Sequence, residues 1–400
     1  MHILHITREF GSDARYGISK SLAPVTQALR ERGLTVEVFD GDAAREQPPG
    51  RLASWIGRQA LALIRRRYVH SDSEHAAAQA IVNMLAERVA IAWSAARRAR
   101  KIGVTHVHCH DPVLAYLYAR FALVTGATRR WGVTEHGFGA YVQERQGVPI
   151  PLALLKALQK WERKVAQSAA WLFAPSRLGL RQLALDLYLP GELAGDVPPA
   201  NWHVVGHPRP SLQHYERTQA RIRLAIPEDD WIVLAVGQLV PMKRFLLLIE
   251  ACGLVAYDLR PNLIILGEGD SGTLLEAAQH LGMERRLRIE VTDDIGLYFA
   301  AADVYASTSA TESFGMANCE ALYAGLPAVC TAVGAVPEVV GNAAWLVGDS
   351  ATEIAAALSA LRSDVRLRRH FAEKARLWGL DWRGPKEIAD EIERIYAAAP

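Results

Sequence analysis

The 400-residue sequence lacks the features that mark disulfide-stapled, membrane-spanning and disordered proteins. Its four cysteines are scattered, with neither the pairing pattern of a disulfide framework nor the spacing of a metal site. No uninterrupted apolar run reaches the roughly 18 residues that a spanning helix needs, and no low-complexity tract or short-period repeat occurs. The beginning of the sequence, His2–Ile6, resembles a first strand rather than a secretion signal. We therefore expect a cytoplasmic protein with reduced, buried cysteines.

Net charge is also small, at +2, but it is unevenly distributed. Residues 1–205 hold 26 Lys and Arg against 17 Asp and Glu, whereas the rest of the chain holds 19 against 26. The basic excess is concentrated in Arg51–Lys101, whose first part has one basic and one apolar stripe when drawn as a helix. Such a face is typical of peripheral binding to an anionic membrane surface, and a solvated helix packed on its own domain explains it equally well. No recognition motif accompanies these arginines, so we expect no nucleic-acid partner.

The sequence does contain a regular alternation of short apolar strands and helical segments. This alternation indicates parallel sheets covered by helices on both faces, and half of the residues are apolar, which is enough for two cores. Two runs of six strands predict an α/β protein with two doubly wound, Rossmann-like domains facing a cleft. The predicted strands are His2–Ile6, Thr35–Phe39, Thr105–His108, Trp131–Thr134, Trp171–Ala174, Trp202–Val205, Ile232–Val236, Leu263–Leu266, Leu287–Val291, Val304–Ala306, Ala328–Thr331 and Ala344–Val347.

The boundary between the two domains is expected near Val205–Pro210, where one glycine and two prolines interrupt regular structure. We therefore predict an N-terminal domain over residues 1–205 and a C-terminal domain over residues 206–380. The remaining residues, 381–400, have the periodicity of a helix that belongs to either domain.

A phosphate site is predicted in the segment Glu312–Glu320, which follows one strand and leads into a helix over Ala317–Ala324. The residues between strand and helix lie at a helix N-terminus, where backbone N–H groups and the helix dipole favour an anion. Eight residues of helix span about 12 Å, so the two glutamates suit opposite ends of one ligand better than one scissile bond. The alternative is a solvated helix carboxylate at Glu320 and a first-turn dipole partner at Glu312.

Two other loops of the second domain follow strands. Gly237–Arg244 includes Lys243, which offers a positive charge to a diphosphate or, like most loop lysines, is simply solvated. Gly267–Gly272 formally matches the dinucleotide pattern G-x-G-x-x-G, but it follows the second strand of its domain, whereas that fingerprint belongs after the first. A tight turn explains these glycines, so an NAD(P)-dependent oxidoreductase is kept only as an alternative.

Histidines are concentrated in the first domain. His106, His108 and His110 alternate along a predicted strand and so share a face, but no fourth ligand cluster is visible, and edge-of-cleft or core histidines are preferred over a metal site. His136, in Thr134–Gly139, fits either a loop facing the cleft or a structural turn.

Together these segments resemble the retaining glycosyltransferases of the GT-B fold, specifically glycosyltransferase family 4. The strongest match is Glu312–Glu320, which is similar to the family's Glu-x7-Glu signature. Further matching pieces occur in the expected order, namely Leu239–Lys243, Leu266–Gly269, Ala300–Asp303, Ala324–Ala328 and Gly334–Val340.

The resemblance implies transfer of a sugar from a UDP- or GDP-linked donor to an acceptor hydroxyl, with retention and without a metal or other cofactor. It implies that Glu320 holds the donor ribose, that Lys243 binds the diphosphate in place of a metal, and that His136 and Glu312 lie beside the transferred sugar. The other implied donor-binding positions are Gly17, Gln238, Arg244, Ser313, Phe314, Gly315 and Met316. The first domain is expected to bind a glycan or lipid-linked acceptor, as in assembly of cell-envelope polysaccharide, lipopolysaccharide or glycolipid.

The chain departs from the family pattern at the phosphate site. Gln238 stands where the family usually has arginine, so one positive charge is absent, and either neighbouring Arg244 replaces it or donor binding is weaker. Tyr16 occupies the place of the first loop glycine. A non-catalytic nucleotide-sugar-binding paralogue is therefore a second alternative.

Overall fold

The computed structural model describes residues 1–8, 10, 18–46, 58–59, 62–63, 66, 72–137, 152–187 and 199–399. The chain divides into two compact units. Unit 1 consists of Met1–Pro208 together with Gly384–Pro400, and unit 2 is Arg209–Arg383. Each unit is built on one six-stranded sheet in which all strand pairs are parallel.

The sheet of unit 1 has the strand order β2-β1-β3-β4-β5-β6. Its strands β1 to β6 are, in chain order, His2–Ile6, Thr35–Phe39, His106–Cys109, Trp131–Thr134, Leu172–Ala174 and Trp202–Val204. The described helices are α1 to α6, at Ile18–Glu31, Gly41–Glu46, Asp72–Ile102, Pro112–Thr125, Leu152–Ser168 and Arg177–Asp186, and the last helix of the chain, α15, at Pro385–Ala398.

The sheet of unit 2 has the order β12-β11-β10-β7-β8-β9. Strands β7 to β12 are Ile232–Val236, Asn262–Leu266, Leu287–Glu290, Val304–Ser307, Ala328–Thr331 and Trp345–Val347. Helices α7 to α14 are Arg217–Arg223, Phe245–Leu254, Gly272–His280, Ile295–Ala301, Met316–Tyr323, Val336–Val340, Ala351–Ser363 and Val365–Asp381, and a short 3-10 helix covers Pro241–Lys243.

The two sheets confirm the predicted α/β class, because all twelve strands lie where the apolar runs predicted them, within a residue or two at each end. The physical reason is burial on both faces. Strand β7, for example, is buried at every position, as expected for a parallel strand covered by helices on both sides.

Residues of α15 complete the core of unit 1. Ile388, Ile392 and Tyr396 are buried together with side chains of α1 and β5, and Arg32, which directly follows α1, forms ion pairs with Asp390 and Glu393. The last helix therefore packs within the unit that also contains the first strand.

Part of the predicted basic segment, including most of residues 51–71, lies outside the described residues. Within the described part, Arg88 is only 2% exposed and its Nε donates to Asp111 Oδ2 at 2.8 Å. Arg98 is paired with Glu37 at 2.9 Å. These two arginines are therefore paired with carboxylates of unit 1, and Arg88 is buried. Among the residues that the structure describes, no helix has the length and apolar character needed to cross a membrane.

Candidate functional site

Two loops of unit 2 are hydrogen-bonded to each other where the neighbouring strands β7 and β10 end. The amide of Ala310 donates to the carbonyl of Met242 at 2.8 Å, and the hydroxyl of Thr308 donates to the carbonyl of Lys243 at 3.1 Å. Carboxyl ends of parallel strands lie at one edge of the sheet, which is where doubly wound folds bind ligands. The candidate site is built at this edge.

Lys243 and Glu312 form an ion pair at the edge. Lys243 Nζ lies 2.5 Å from Glu312 Oε1, and the hydroxyl of Ser309 donates to the same oxygen at 2.7 Å. The lysine and glutamate side chains are 22% and 14% exposed. The aliphatic stem of Lys243 passes Gly237, where an added Cβ would lie 3.2 Å from Lys243 Cε. A cation is thus held in place and remains accessible to an anionic ligand.

Arg244 fastens the two loops together. Its Nε donates to the carbonyl of Thr308 at 2.8 Å, one terminal nitrogen donates to the carbonyl of Ser309 at 2.9 Å, and the other pairs with Asp349. The backbone of Arg244 is in the left-handed region, with φ of 49°. Since all three guanidinium nitrogens are engaged, the positive charge missing at the exposed Gln238 is not supplied by a free group on Arg244.

Helix α11 presents its N-terminus at the same edge. It begins at Met316, one residue before the predicted start, and its N-cap residue Gly315 has φ of +82°. A Cβ at Gly315 would lie 2.8 Å from Asn318 Nδ2, so glycine is required by both conformation and space. As a glycine, the N-cap residue has no side chain to cap the helix, and the first amides of a helix have no acceptor within it. These properties favour an anion at this position.

Glu320 lies on α11 and is 5% exposed, so the interpretation as a solvated helix carboxylate is wrong. Its neighbourhood is defined by Tyr305, whose phenol donates to Asn318 Oδ1 at 3.1 Å. Burial raises the pKa of Tyr305 well above its ordinary value, and the Cys330 thiol and the carboxylates of Glu312 and Glu320 raise it further. The phenol therefore stays protonated, and both predicted carboxylates act electrostatically on the same buried side chain.

The remaining predicted positions of this loop differ in their surroundings. Phe314 is buried against Cys319 and Trp382, whereas Ser313 and Met316 are half-buried. Gly17 lies outside the described residues.

The glycines of the G-x-G-x-x-G pattern have a packing role. A Cβ at Gly267 would lie 1.9 Å from the carbonyl oxygen of Gly237, and one at Gly269 would lie 2.9 Å from the Cβ of Leu239. The loop after β8 therefore needs glycine in order to pack against the loop after β7, which accounts for the pattern without a dinucleotide.

Sequence reasoning missed three side chains of this site, namely Ser309, Tyr305 and Asn318. Ser309 donates to the predicted residue Glu312, Tyr305 donates to Asn318, and the Asn318 amide lies next to the predicted residue Gly315. Their proximity to Glu312 in the sequence was a signal, but their orientation depends on contacts between different elements of the fold.

His136 belongs to unit 1, where it follows β4 and joins a row of histidines. Its Nε2 lies 3.0 Å from His110 Nδ1, and His110 Nε2 lies 2.9 Å from His5 Nδ1. The rings also stack, with centroids 5.3 Å apart for His136 and His110 and 5.7 Å for His136 and His207. Burial lowers the pKa of His5 and His136 to about 3 and that of His207 to about 4, so the row is neutral at physiological pH.

The strand β3 histidines bond to aromatic and hydroxyl groups. His108 contacts Trp171, Thr134 and Tyr396, and His106 lies 3.3 Å from the carbonyl of Tyr396. Among the described residues, no group of three or more His, Cys, Asp or Glu has an arrangement that could hold a metal ion.

The carboxylate of Glu135, the residue before His136 in the sequence, is also perturbed. Burial raises the pKa of Glu135 well above its ordinary value, and the carboxylates of Glu162 and Asp111 raise it further. Glu135 is therefore less acidic than an exposed glutamate.

With this geometry established, comparison with known proteins identifies the second unit. The family described as Glycosyl transferases group 1 matches residues 216–378. The matched residues include Lys243, Glu312 and Glu320, and they make up most of unit 2.

One curated relative aligns with nearly the whole chain. D-inositol 3-phosphate glycosyltransferase of Thermomonospora curvata is 27% identical over 96% of this chain and 90% of its own length. For several other curated relatives, the matched part of the chain spans about half of their length.

Solved structures match both units. Sucrose-phosphate synthase from Thermosynechococcus elongatus has a TM-score of 0.72 at 17% identity, with 99% of this chain and 98% of that chain covered. Anabaena Alr3699/HepE, solved in complex with UDP-glucose, has a TM-score of 0.68 at 16% identity with both chains fully covered. At these identities the likeness concerns the fold, and it confirms the expected GT-B fold.

Proposed function

We propose that the protein is a retaining glycosyltransferase that moves a sugar from a nucleoside-diphosphate sugar to an acceptor hydroxyl. The observation that carries this proposal is the joined edge of β7 and β10, where the Lys243–Glu312 ion pair lies on loops hydrogen-bonded together. The N-terminus of α11, where the N-cap residue is Gly315, follows directly from one of these loops. The complex of Anabaena Alr3699/HepE with UDP-glucose supports a UDP-linked donor, with GDP-linked donors as the other candidates.

In this proposal, the developing negative charge of the departing diphosphate is stabilised by Lys243 and by the backbone amides at the start of α11. Fixed charges and dipoles of this kind lower a barrier because they need no reorganisation during the reaction. Glu320, buried in the second turn of α11, holds the donor ribose. No metal ion takes part, because the ammonium of Lys243 stabilises the negative charge of the diphosphate.

The acceptor is proposed to bind to unit 1, where His136 acts beside the transferred sugar. We infer a glycan or lipid-linked acceptor of cell-envelope assembly, and a cytoplasmic, peripheral position on an anionic membrane through the basic segment Arg51–Lys101. The charge distribution of the sequence and the resemblance to family 4 support this part. Flotation with anionic vesicles at low salt tests it, and absence of binding counts against it.

The proposed activity is tested with purified full-length protein in two steps. Thermal unfolding is first measured with UDP, GDP, UDP-glucose, GDP-mannose and NADH, because a ligand of the folded state raises the melting temperature by mass action. The matching nucleotide sugar is then incubated with the protein in EDTA, and release of nucleoside diphosphate is followed. Stabilisation by NADH alone would instead support the oxidoreductase alternative.

The non-catalytic alternative is favoured by one observation. Gln238 is uncharged and the guanidinium of Arg244 is engaged, so of the three side chains Gln238, Lys243 and Arg244 only the ammonium of Lys243 is accessible to a diphosphate. Binding of a nucleotide sugar without hydrolysis or transfer to any acceptor would support a binding paralogue. Release of diphosphate with EDTA present would exclude it.

A further inference from the structure

Unit 1 contains a hydrogen-bonded row of three histidines, His5, His110 and His136, which come from β1 and from the segments after β3 and β4. His110 is the middle ring, with His5 Nδ1 2.9 Å from its Nε2 and His136 Nε2 3.0 Å from its Nδ1. The row borders a cavity of about 50 Å³ that is also lined by apolar side chains of α1 and α15. Because each neutral imidazole has one N–H group and one acceptor nitrogen, the row is directional. Every ring donates toward the same end.

A neighbouring ring has its tautomer fixed independently. The indole N–H of Trp171, which can only donate, lies 3.0 Å from His108 Nδ1. His108 Nδ1 therefore accepts, and its Nε2–H donates to the hydroxyl of Thr134 at 2.6 Å. His108 stacks on His110 with centroids 4.8 Å apart but leaves both nitrogens of His110 to the row.

The two possible directions of the row differ at its buried end. His5 is 1% exposed, and its Nε2 has no hydrogen-bond partner among the described residues. If the row ran toward His5, this Nε2 would carry a proton with no acceptor, and buried N–H groups without an acceptor are rare in native proteins. If it runs toward His136, His5 Nε2 is only an unused lone pair.

We propose that His110 is a positioning residue that holds His136 in its Nδ1–H tautomer, with the row directed from His5 through His110 to His136. His110 Nδ1–H donates to His136 Nε2, so the proton of His136 resides on Nδ1. His136 is therefore a hydrogen-bond donor through Nδ1 and has no basic nitrogen left for proton abstraction. Its use beside the transferred sugar rests on the proposed function, in which it binds a sugar oxygen and does not act as a general base.

The proposal is tested by long-range ¹H–¹⁵N correlation of full-length protein labelled with ¹⁵N-histidine, at neutral pH and without ligand. The signals of His136 are assigned by their loss in His136→Gln. We expect the protonated, pyrrole-type shift for its Nδ1 and the unprotonated, pyridine-type shift for its Nε2. The opposite pattern overturns the proposal.

Two substitutions of His110 distinguish a role in positioning the proton of His136 from a role in packing alone. His110→Phe keeps a ring but removes the donor, so the proton of His136 should move largely to Nε2. His110→Gln retains an N–H₂ group for His136 and a carbonyl for His5, and it should preserve the original pattern. His106→Phe replaces a buried histidine of β3 that lies outside the row, and it is the matched control. An unchanged spectrum in His110→Phe overturns the positioning role.

The rate of sugar transfer is a second, independent test of the positioning role. If sugar is transferred, His110→Phe should lower kcat about threefold to tenfold, as expected for loss of one hydrogen bond, and His110→Gln should restore it. If the wild-type protein transfers no sugar but shows the expected tautomer, the proposed function fails and the positioning role stands.

Discussion

Lys243 Nζ and Glu312 Oε1 lie 2.5 Å apart, although they come from loops that follow two different strands. The ion pair with Glu312 holds the ammonium of Lys243 in one position at the edge of the sheet. A diphosphate carries more negative charge than one carboxylate, so it can compete for this ammonium. The pair therefore orients Lys243 without making it unavailable.

Replacing Lys243 by alanine should lower the rate of transfer on the order of a hundredfold or more, because one preorganised electrostatic group typically contributes about 2.7–4 kcal/mol. The rate is measured as nucleoside diphosphate released at saturating donor. Lys386→Ala, an exposed lysine on α15, is the control and should keep the wild-type rate. A near-wild-type rate in Lys243→Ala removes this residue from the mechanism.

Replacing Glu320 by glutamine should weaken binding of the donor nucleotide by about tenfold or more, since hydrogen bonds to charged groups contribute about 1.5–3 kcal/mol. Isothermal titration calorimetry with the free nucleoside diphosphate measures the change. Glu276→Gln alters an exposed glutamate of α9 and should bind like the wild type. Equal affinities for the two variants would contradict the assignment of Glu320 to the nucleotide.

Replacing Gly315 by alanine should abolish donor binding, whereas the same change at Gly282 should not. Both glycines have positive φ, of +82° and +63°, so both alanines are strained by about 1–2 kcal/mol. Only at Gly315 does the new Cβ meet a neighbour, Asn318 Nδ2 at 2.8 Å, while nothing lies within 4 Å at Gly282. Melting temperatures and nucleotide titrations of both variants separate strain from damage to the α11 N-terminus.

Acidification should destabilise the protein below about pH 6.5. His5 and His136 have pKa values of about 3 in the folded protein and near 6.5 when unfolded. Between these values the unfolded chain binds more protons, so stability is complete above pH 6.5 and is lost as the pH falls. Each such histidine contributes up to about 1.4 kcal/mol per pH unit. Chemical unfolding at several pH values measures this slope, and His5→Phe should reduce it. A slope that is the same in both proteins would argue against a neutral buried His5.

The strands could be predicted because burial on both faces leaves a local signal. Two strands have the predicted bounds, namely Ile232–Val236 and Ala328–Thr331. Their apolar runs can be recognised without knowing which other parts of the chain they contact. Helix α11 starts one residue before its predicted start because Gly315, in the left-handed conformation, is its N-cap residue.

The site was only partly predictable. The segment Glu312–Glu320 has a phosphate-binding pattern that can be seen locally, whereas the histidine row cannot. His5, His110 and His136 become neighbours through the strand order β1-β3-β4, and nothing in their own segments specifies that order. The contact of His108 with Tyr396 spans 288 residues and depends on the packing of α15.

The packing of α15 on α1 has a consequence for biosynthesis. The ribosome synthesises the chain from the N-terminus to the C-terminus. Ile392 and Tyr396 are therefore made only after the whole of unit 2 has been translated. At about 5–20 residues per second, this intervening stretch takes on the order of ten seconds or more. During that interval the apolar side chains of unit 1 that pack on α15 lack their partners. Unit 2 is complete once Arg383 has been translated, whereas unit 1 still lacks α15, so unit 2 can reach its final fold first.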